Sequence, residues 1–290
     1  MAEKWAELEV TRACNLRCRM CLFSCNDALV DELTTDEIIS LIDEFADMKI
    51  EWLKLTGGEA LLRKDIFEII NHAKEKGLKV RLNSNCMLID EDVARKVDVD
   101  LVQVSVDGLS LTNDRLRGRG TFKKTIAAIE LLCEKGIKVQ SNTVITQANK
   151  GELCELSDML WNKGVCDMGY SRLINTGRCG SVYDGLSVST AELFLIKMKL
   201  MANARLKHHH ISFDGGVAYY MNVCRLSDYP FITASGDVTP CCKIRDTTRI
   251  GNVRDSSYAD ILADYRNKGF RAPIRCFGNC NECLNNLRID

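Results

Sequence analysis

The chain has 290 residues and a formal net charge of -1, so its composition provides no general attraction to nucleic acid or to an anionic membrane. Its hydrophobic content of 46% and charged content of 27% are typical of a globular protein with a sizeable core. No apolar stretch reaches the roughly 18 residues of a membrane-spanning helix, and the first residues lack the features of a signal peptide. These features predict a cytoplasmic protein that binds neither nucleic acid nor a membrane.

Cysteine is the unusual residue, with 15 copies in the chain. In a reducing compartment, clustered thiols more often hold metal, whereas scattered thiols usually pack as small core residues. Three cysteines lie together at Cys14, Cys18 and Cys21, and six more lie between Cys224 and Cys283. The two groups indicate candidate metal centres at opposite ends of the chain.

Predicted strands alternate with predicted helices over residues 1–206. The strands are expected at Ala6–Val10, Trp52–Thr56, Lys79–Asn83, Leu101–Val106, Lys138–Ile145 and Met168–Ile174. The helices are expected at Thr35–Met48, Lys64–Lys76, Glu91–Val97, Phe122–Lys135, Glu152–Lys163 and Thr190–Leu206. This alternation favours parallel strands joined by right-handed crossovers, in a doubly wound sheet or an incomplete barrel. Ligands should gather at the carboxyl ends of such strands.

The pattern changes over residues 207–290, which we predict to be a second domain. Two short strand candidates, Phe231–Ala234 and Val238–Pro240, flank a turn at Ser235-Gly236-Asp237 that is typical of a hairpin. One predicted helix, Tyr258–Lys268, precedes the final cysteines. The sequence therefore predicts a small cysteine-rich α+β extension that a metal helps to stabilise.

The first cysteine group follows the first predicted strand directly, with the spacing C-x3-C-x2-C. Three thiolates in one loop can bind three irons of a 4Fe-4S cluster and leave the fourth iron open to a small molecule. A structural zinc site and three simply buried thiols are the alternatives. Structural zinc normally has four protein ligands and no open coordination position, and its motifs usually contain pairs of cysteines. The spacing therefore favours an iron–sulfur cluster at Cys14, Cys18 and Cys21.

This motif, placed after the first strand of a six-unit barrel, resembles the radical S-adenosylmethionine (SAM) superfamily. The resemblance implies a partial (β/α)6 TIM-like barrel whose open iron chelates the amino and carboxylate groups of SAM. It also implies that an electron from the cluster cleaves SAM to methionine and a 5′-deoxyadenosyl radical. That radical removes a hydrogen atom from the substrate.

Other segments match motifs of the same superfamily in order along the chain. Gly57-Gly58-Glu59 resembles the GGE motif that contacts the SAM amino group, although Ala60 stands where the family usually has proline. Ser84 and Asn85 match the position that meets the ribose or the methionine end of SAM, and Cys86 replaces the usual glycine there. The resemblance also implies that Ser105 and Asn142 face the cofactor, Asn142 near the SAM carboxylate.

The second cysteine group resembles the SPASM/twitch extension found behind many radical SAM barrels, in the version with a single auxiliary 4Fe-4S cluster. We predict its ligands to be Cys224, Cys241, Cys280 and Cys283, with Cys242 or Cys276 as substitutes. A zinc ribbon is the alternative at this end of the chain. The basic segment 114–124 resembles the loop after the fourth strand in this subgroup.

The barrel motifs specify how the radical is generated and leave the substrate open. The resemblance implies oxidation, crosslinking or epimerisation of a ribosomal peptide. Dehydrogenation or epimerisation of a carbohydrate or aminocyclitol is the alternative, and a non-catalytic redox protein is a remote one. Because the first strand begins near residue 6, we expect a small substrate or a separate leader-peptide-binding protein. An electron donor such as flavodoxin or ferredoxin is also expected, and an epimerase would need a thiol donor, for which Cys86, Cys179 and Cys25 are candidates.

Overall fold

The computed structural model describes residues 4–213, 230–242 and 248–268. Its strands are β1 (Trp5–Glu9), β2 (Trp52–Thr56), β3 (Lys79–Ser84), β4 (Leu101–Ser105), β5 (Val139–Ile145), β6 (Asp167–Arg172), β7 (Ile211–Phe213), β8 (Phe231–Ile232), β9 (Asp237–Thr239) and β10 (Gly251–Asn252). Its α-helices are α1 (Thr35–Asp47), α2 (Ile66–Glu75), α3 (Glu91–Lys96), α4 (Ser110–Arg117), α5 (Thr121–Glu134), α6 (Leu153–Asn162), α7 (Tyr183–Leu186), α8 (Thr190–Lys207) and α9 (Tyr258–Asn267). Short 3-10 turns span Ala60–Leu62 and Gly177–Val182.

All ten strands belong to one sheet, in the order β10-β9-β8-β1-β2-β3-β4-β5-β6-β7. Neighbouring strands from β1 to β7 are parallel, and helices connect them as in a partial TIM-like barrel. The predicted α/β class and the hairpin of the extension are therefore confirmed. None of the helices in the described part of the chain is long and apolar enough to cross a membrane.

The segment after residue 206 contributes to both edges of this sheet. Strand β7 adds a seventh parallel strand beside β6, which the sequence did not predict. Strand β8 pairs in parallel with β1 and continues into the antiparallel strands β9 and β10. The extension is therefore joined to the barrel by backbone hydrogen bonds, next to the strand that leads into the first cysteine group.

The helices cover the outside of the sheet with apolar faces. In α1, the Thr34 side chain accepts a hydrogen bond from the backbone of Glu37, and the Glu37 carboxylate accepts one from Thr34 in return. This capping box fixes the start of the helix that the sequence predicted. The buried face of α1 consists of Ile38, Leu41, Ile42 and Phe45. The spacing of these residues corresponds to one side of a helix packed on the sheet.

The strands of the barrel alternate between apolar residues that pack under the helices and polar residues that face the inside. Residues such as Leu8, Leu53, Val80, Val102 and Val139 are fully buried in the main core. Polar residues at alternate positions on the same strands line an internal cavity: Glu7, Lys54, Asn83, Gln103 and Asn142. Because side chains of a strand point alternately to its two faces, this period-2 pattern gives the barrel a polar interior.

Candidate active site

A cavity of about 480 Å³ lies at the carboxyl ends of the parallel strands. Its wall contains the three thiols of the first cysteine group, Cys14, Cys18 and Cys21. It also contains six of the seven residues predicted to bind SAM: Gly57, Gly58, Ser84, Asn85, Ser105 and Asn142. These residues come from five separate regions of the chain, and the fold brings them to one site. The seventh, Glu59, is buried directly behind this wall, with 1% of its surface exposed.

The glycine pair allows the end of β2 to lie directly against the cysteine loop. The Gly58 amide donates a 2.8 Å hydrogen bond to the Thr11 carbonyl, and the Glu59 amide donates a 2.7 Å bond to the Ala13 carbonyl. A Cβ atom on Gly57 would lie 2.5 Å from the Thr11 carbonyl oxygen. Side chains are therefore excluded at this close approach of two backbones.

The carboxylate of Glu59 holds the end of β3 in place. It accepts hydrogen bonds from the Ser84 hydroxyl at 2.8 Å, the Asn85 amide at 2.7 Å and the Leu61 amide at 3.3 Å. Burial raises the pKa of Glu59 to about 6, against the lowering effect of these three donors. Glu59 thus fixes the positions of Ser84 and Asn85, both of which reach the cavity.

The three thiols of the loop lie in different electrostatic environments. Burial raises the pKa of Cys14 and of Cys18 above the usual range. A hydrogen bond from the Cys25 thiol lowers the pKa of Cys21 to about 5. Cys21 therefore loses its proton most readily, and metal binding must displace protons from the other two thiols.

The loop is held from the opposite side by the turn that follows β6. The Arg178 guanidinium donates to the carbonyl oxygens of Cys18, at 3.0 Å, and of Cys25, at 2.9 Å. A Cβ atom on the neighbouring Gly177 would lie 2.7 Å from the carbonyl carbon of Leu22. The cysteine loop therefore contacts the end of β2 on one side and this turn on the other. These contacts hold the loop in place, although the loop has no regular secondary structure of its own.

The donor set of the loop fits a multi-iron cluster. Among the described residues, no group of three or more His, Cys, Asp and Glu side chains is arranged to hold one metal ion. In a 4Fe-4S cluster each cysteine binds a different iron, so the three sulfurs need only surround one space. Cys14, Cys18 and Cys21 meet that condition because all three line the same cavity.

Comparison with known proteins identifies the family. The profile of the radical SAM superfamily matches residues 8–160, which is more than half of the chain. The chain belongs to the radical SAM superfamily. Residues 224–284 match the SPASM iron–sulfur cluster-binding domain. The two domains imply SAM and 4Fe-4S clusters as cofactors of this radical SAM enzyme.

Relatives with different activities resemble the chain to a similar degree. It is 29% identical over 309 residues to the AdoMet-dependent heme synthase of Oleidesulfovibrio alaskensis, covering 95% of this chain and 78% of that protein. It is also 29% identical to the sporulation killing factor maturation protein SkfB of Bacillus subtilis, covering 97% of this chain and 69% of SkfB. The structure of Streptococcus suis SuiB bound to precursor peptide SuiA has a TM-score of 0.77 and 16% identity, covering 90% of this chain and 64% of SuiB. The last likeness concerns the fold alone.

Only one of the four predicted auxiliary ligands, Cys241, lies in the part of the chain that the structure describes. Cys224, Cys280 and Cys283 lie outside the described residues, as does the substitute Cys276. Cys241 follows β9, and the next residue, Cys242, lines the cavity together with the first three thiols. A hydrogen bond to Cys241 raises the pKa of Cys242 well above its usual value.

The three cysteines considered as hydrogen donors differ in their access to the cavity. Cys25 is part of the cavity wall. Cys86 and Cys179 are buried in the two hydrophobic clusters and are not among the lining residues. Cys86 has a φ of 68°, a left-handed backbone conformation that favours glycine, although cysteine occupies the position here.

Several lining residues were missed by the sequence analysis. Glu7, Lys54 and Gln103 face the cavity from the alternating strands, and their polar-apolar period could have indicated this. Arg117, at the end of α4, also lines the cavity. The contacts of Arg178 with the cysteine loop have no signal in the local sequence, because its partners lie 160 and 153 residues away in the chain.

Proposed function

We propose that this radical SAM enzyme performs a net two-electron oxidation of a residue in a ribosomally made peptide. The observation that carries the proposal is the shared wall of the cavity. Cys14, Cys18 and Cys21 lie on it together with Cys242, which follows the first strands of the auxiliary domain. A substrate group in this cavity contacts both the radical-generating side and the auxiliary side of the enzyme.

The chain's own residues have distinct roles in this proposal. Cys14, Cys18 and Cys21 hold the first 4Fe-4S cluster, and the backbone of Gly57-Gly58, with Ser84, Asn85, Ser105 and Asn142, binds SAM. Glu59 orients Ser84 and Asn85 through its hydrogen bonds. When bound, the reduced cluster and SAM supply hydrogen-atom abstraction, and an auxiliary cluster supplies an acceptor for the second electron. Flavodoxin or ferredoxin is the expected source of the first electron.

The auxiliary cluster is assigned to Cys224, Cys241, Cys280 and Cys283. Support comes from Cys241, which lies two residues after β9, a strand joined to β1 through β8. This connection fixes the segment that carries Cys241 beside the strand that leads to Cys14. Four thiolates leave no open iron, so the cluster is suited to electron transfer.

A peptide substrate is supported by the limited volume of the cavity and by the relatives. The cavity volume of about 480 Å³ lies within the ~300–1,000 Å³ range of pockets for drug-sized ligands, so bound SAM would leave only part of it for a substrate. A peptide can insert a single side chain and leave the rest of its length outside. SkfB, which is similar over 97% of this chain, is named as a maturation protein.

A small anionic substrate is the second candidate, because the similarity to a heme synthase also covers 95% of the chain. Lys54 and Arg172 place two cationic side chains on the cavity wall, where a substrate carboxylate could bind. Lys54 is also paired with Glu7 at 2.7 Å, so such a carboxylate would compete with an internal partner. Dehydrogenation of a carbohydrate-derived alcohol remains a prediction.

The test starts from anaerobically reconstituted protein with dithionite and SAM. We expect 5′-deoxyadenosine from the wild type and none from the variant Cys14→Ala/Cys18→Ala/Cys21→Ala, which should retain about four irons in an auxiliary cluster. Short peptides encoded beside the gene are then added, and mass spectrometry should find one that loses two hydrogen atoms. Loss of hydrogen or carboxyl groups from an iron porphyrin instead of a peptide would favour the second candidate. A fully loaded wild type that yields no deoxyadenosine with any of these substrates would contradict the proposal.

A further inference from the structure

An ion pair between Asp107 and Arg117 lies beside the first cysteine group and has no role in the assignments above. Asp107 follows β4 and has no exposed surface, and Arg117 is the last residue of α4. The Arg117 Nε atom donates to Asp107 Oδ2, and only 12% of the Arg117 side chain is exposed. Burial of a charged pair carries a desolvation penalty that can exceed the attraction between the two charges. Such a pair is therefore weak evidence for a purely stabilising role.

The carboxylate of Asp107 is held by hydrogen bonds that leave it little freedom. Its Oδ1 atom accepts a 2.6 Å bond from the Val144 amide on β5. The Asp107 amide donates to Asn113 at 2.9 Å, and the Asp107 carbonyl accepts from Asn149 at 2.9 Å. Three separate parts of the chain therefore fix Asp107, and through it the direction of the Arg117 side chain.

The guanidinium of Arg117 is directed at a cluster ligand. Its Nη1 atom lies 3.9 Å from the sulfur of Cys18. The Arg19 amide donates a 2.9 Å bond to the Leu116 carbonyl, so the cysteine loop is also attached to the end of α4 by its backbone. Once the thiol has given up its proton to become a ligand, the guanidinium is the charged donor that faces this sulfur.

The two charges act on Cys18 in opposite directions. The positive charge of Arg117, 3.9 Å from the Cys18 sulfur, stabilises negative charge on that sulfur, and the negative charge of Asp107 behind it opposes this effect. The same signs apply to any change that adds negative charge to the sulfur. One-electron reduction of a cluster is such a change, because electron density rises on its thiolates.

We propose that Asp107 and Arg117 are a pair of positioning residues that set the reduction potential of the SAM-binding cluster. Arg117 stabilises the reduced state through Cys18, and Asp107 fixes the guanidinium in place and limits its effect. One electron enters from a reduced external donor, and no bond forms or breaks in this step. The inference rests on the proposed role of Cys18 as a ligand of the first cluster.

The test is a redox titration of the anaerobically reconstituted enzyme without SAM, followed by electron paramagnetic resonance. The signal of the first cluster is the one that Cys14→Ala/Cys18→Ala/Cys21→Ala removes and that added SAM changes. For Arg117→Gln we expect the reduction equilibrium to move about tenfold toward the oxidised state, a potential ~59 mV lower for a one-electron couple. Arg117→Lys should lie between the wild type and this variant. Asp107→Asn keeps an acceptor oxygen for Arg117 and removes the negative charge, so it should shift the potential in the opposite direction.

The opposite signs separate an electrostatic role from a structural one, because damage to the loop should move both single variants in the same direction. Removing Arg117 alone leaves Asp107 buried and unpaired, which can prevent folding. The double variant Asp107→Asn/Arg117→Gln avoids this problem. Its potential should still lie below that of the wild type, since Arg117 is the member of the pair in contact with the sulfur.

An unchanged potential in Arg117→Gln and in the double variant would overturn the inference, as would shifts of the same sign in both single variants. A loss of SAM affinity with an unchanged potential would assign Arg117 to cofactor binding instead and overturn it too. If the signal persists in the triple cysteine variant, the assignment of the first cluster fails, which is a separate result from failure of the pair.

Discussion

A Cβ atom added to Gly58 would lie 2.6 Å from the carbonyl carbon of Ala13, the residue before the first cluster cysteine. The contact is between two backbones, so no side-chain rotation can relieve it. The glycine motif of this chain is therefore required by the packing of the cysteine loop, in addition to any contact with SAM.

We predict that Gly58→Ala removes most of the first cluster while leaving the barrel folded. The added methyl group must push the loop away from β2, which separates Cys14 from the other two thiols. Anaerobic reconstitution should then yield about four fewer irons per chain than in the wild type. Iron and sulfide analysis, with circular dichroism to verify the fold, measures the effect.

Gly151→Ala is the matched control, because a Cβ atom there would meet no other atom within 4 Å. It should reconstitute with the full amount of iron. Equal iron contents in the two variants would show that the loop can move away without losing the cluster.

Arg178→Ala should weaken the retention of the first cluster. The substitution removes hydrogen bonds to the carbonyl oxygens of Cys18 and Cys25, and each charge-assisted bond contributes about 1.5–3 kcal/mol. Because about 1.4 kcal/mol corresponds to a factor of ten, iron release to a chelator should be at least ~10 times faster. Arg95→Ala, which removes a 65% exposed side chain on α3, is the control and should release iron at the wild-type rate. Equal rates of iron release in Arg178→Ala and Arg95→Ala would show that Arg178 does not stabilise the loop.

Glu59 predicts a specific dependence of stability on pH. The pKa of Glu59 is about 6 in the folded chain and 4.5 in the unfolded chain. Between these two pH values the folded chain therefore binds more protons than the unfolded chain. Stability should therefore fall as pH rises from 4.5 to 6, by about 2 kcal/mol, and change little above that range. Glu59→Gln cannot titrate and should lack this step.

Urea denaturation of the wild type and Glu59→Gln across this pH range checks the prediction. Glu155→Gln, at an exposed position of α6, controls for the loss of a carboxylate elsewhere and should retain the step. Parallel pH curves for the wild type and Glu59→Gln would contradict the raised pKa.

Much of this fold could be predicted because its strands are short, apolar at alternate positions and bounded by clear turns. Strand β2 was predicted with both ends correct, and α1 was recognisable from its capping box. Helix α4 was missed because its eight residues are mostly polar and have no apolar face of helical period. Strand β7 was missed because its three residues form a strand only by pairing with β6.

The candidate site was predictable where its residues are close in sequence or stand at strand ends. The three cysteines are joined by one short loop, Ser84 and Ser105 end strands, Asn85 follows β3 directly, and Asn142 lies within β5. Arg117 and Cys18 are 99 positions apart, and Arg178 and Cys18 are 160 apart. Such contacts depend on how helices and turns pack against the barrel, which local sequence patterns do not specify.

Cys241 and Cys242 should have different effects on iron content, although they are adjacent. Cys242 lines the cavity, while Cys241 is not among the lining residues, so Cys241 is the better candidate for a closed auxiliary cluster. We expect Cys241→Ala to lose about four irons per chain and Cys242→Ala to retain them. Mössbauer spectroscopy of protein reconstituted with ⁵⁷Fe distinguishes the clusters, with Cys154→Ala as a control at a thiol on α6 far from both groups in sequence. If Cys242→Ala loses the auxiliary cluster and Cys241→Ala retains it, the auxiliary ligand is Cys242 instead of Cys241. The thiol of Cys242, which lines the cavity, would then be part of the electron path itself.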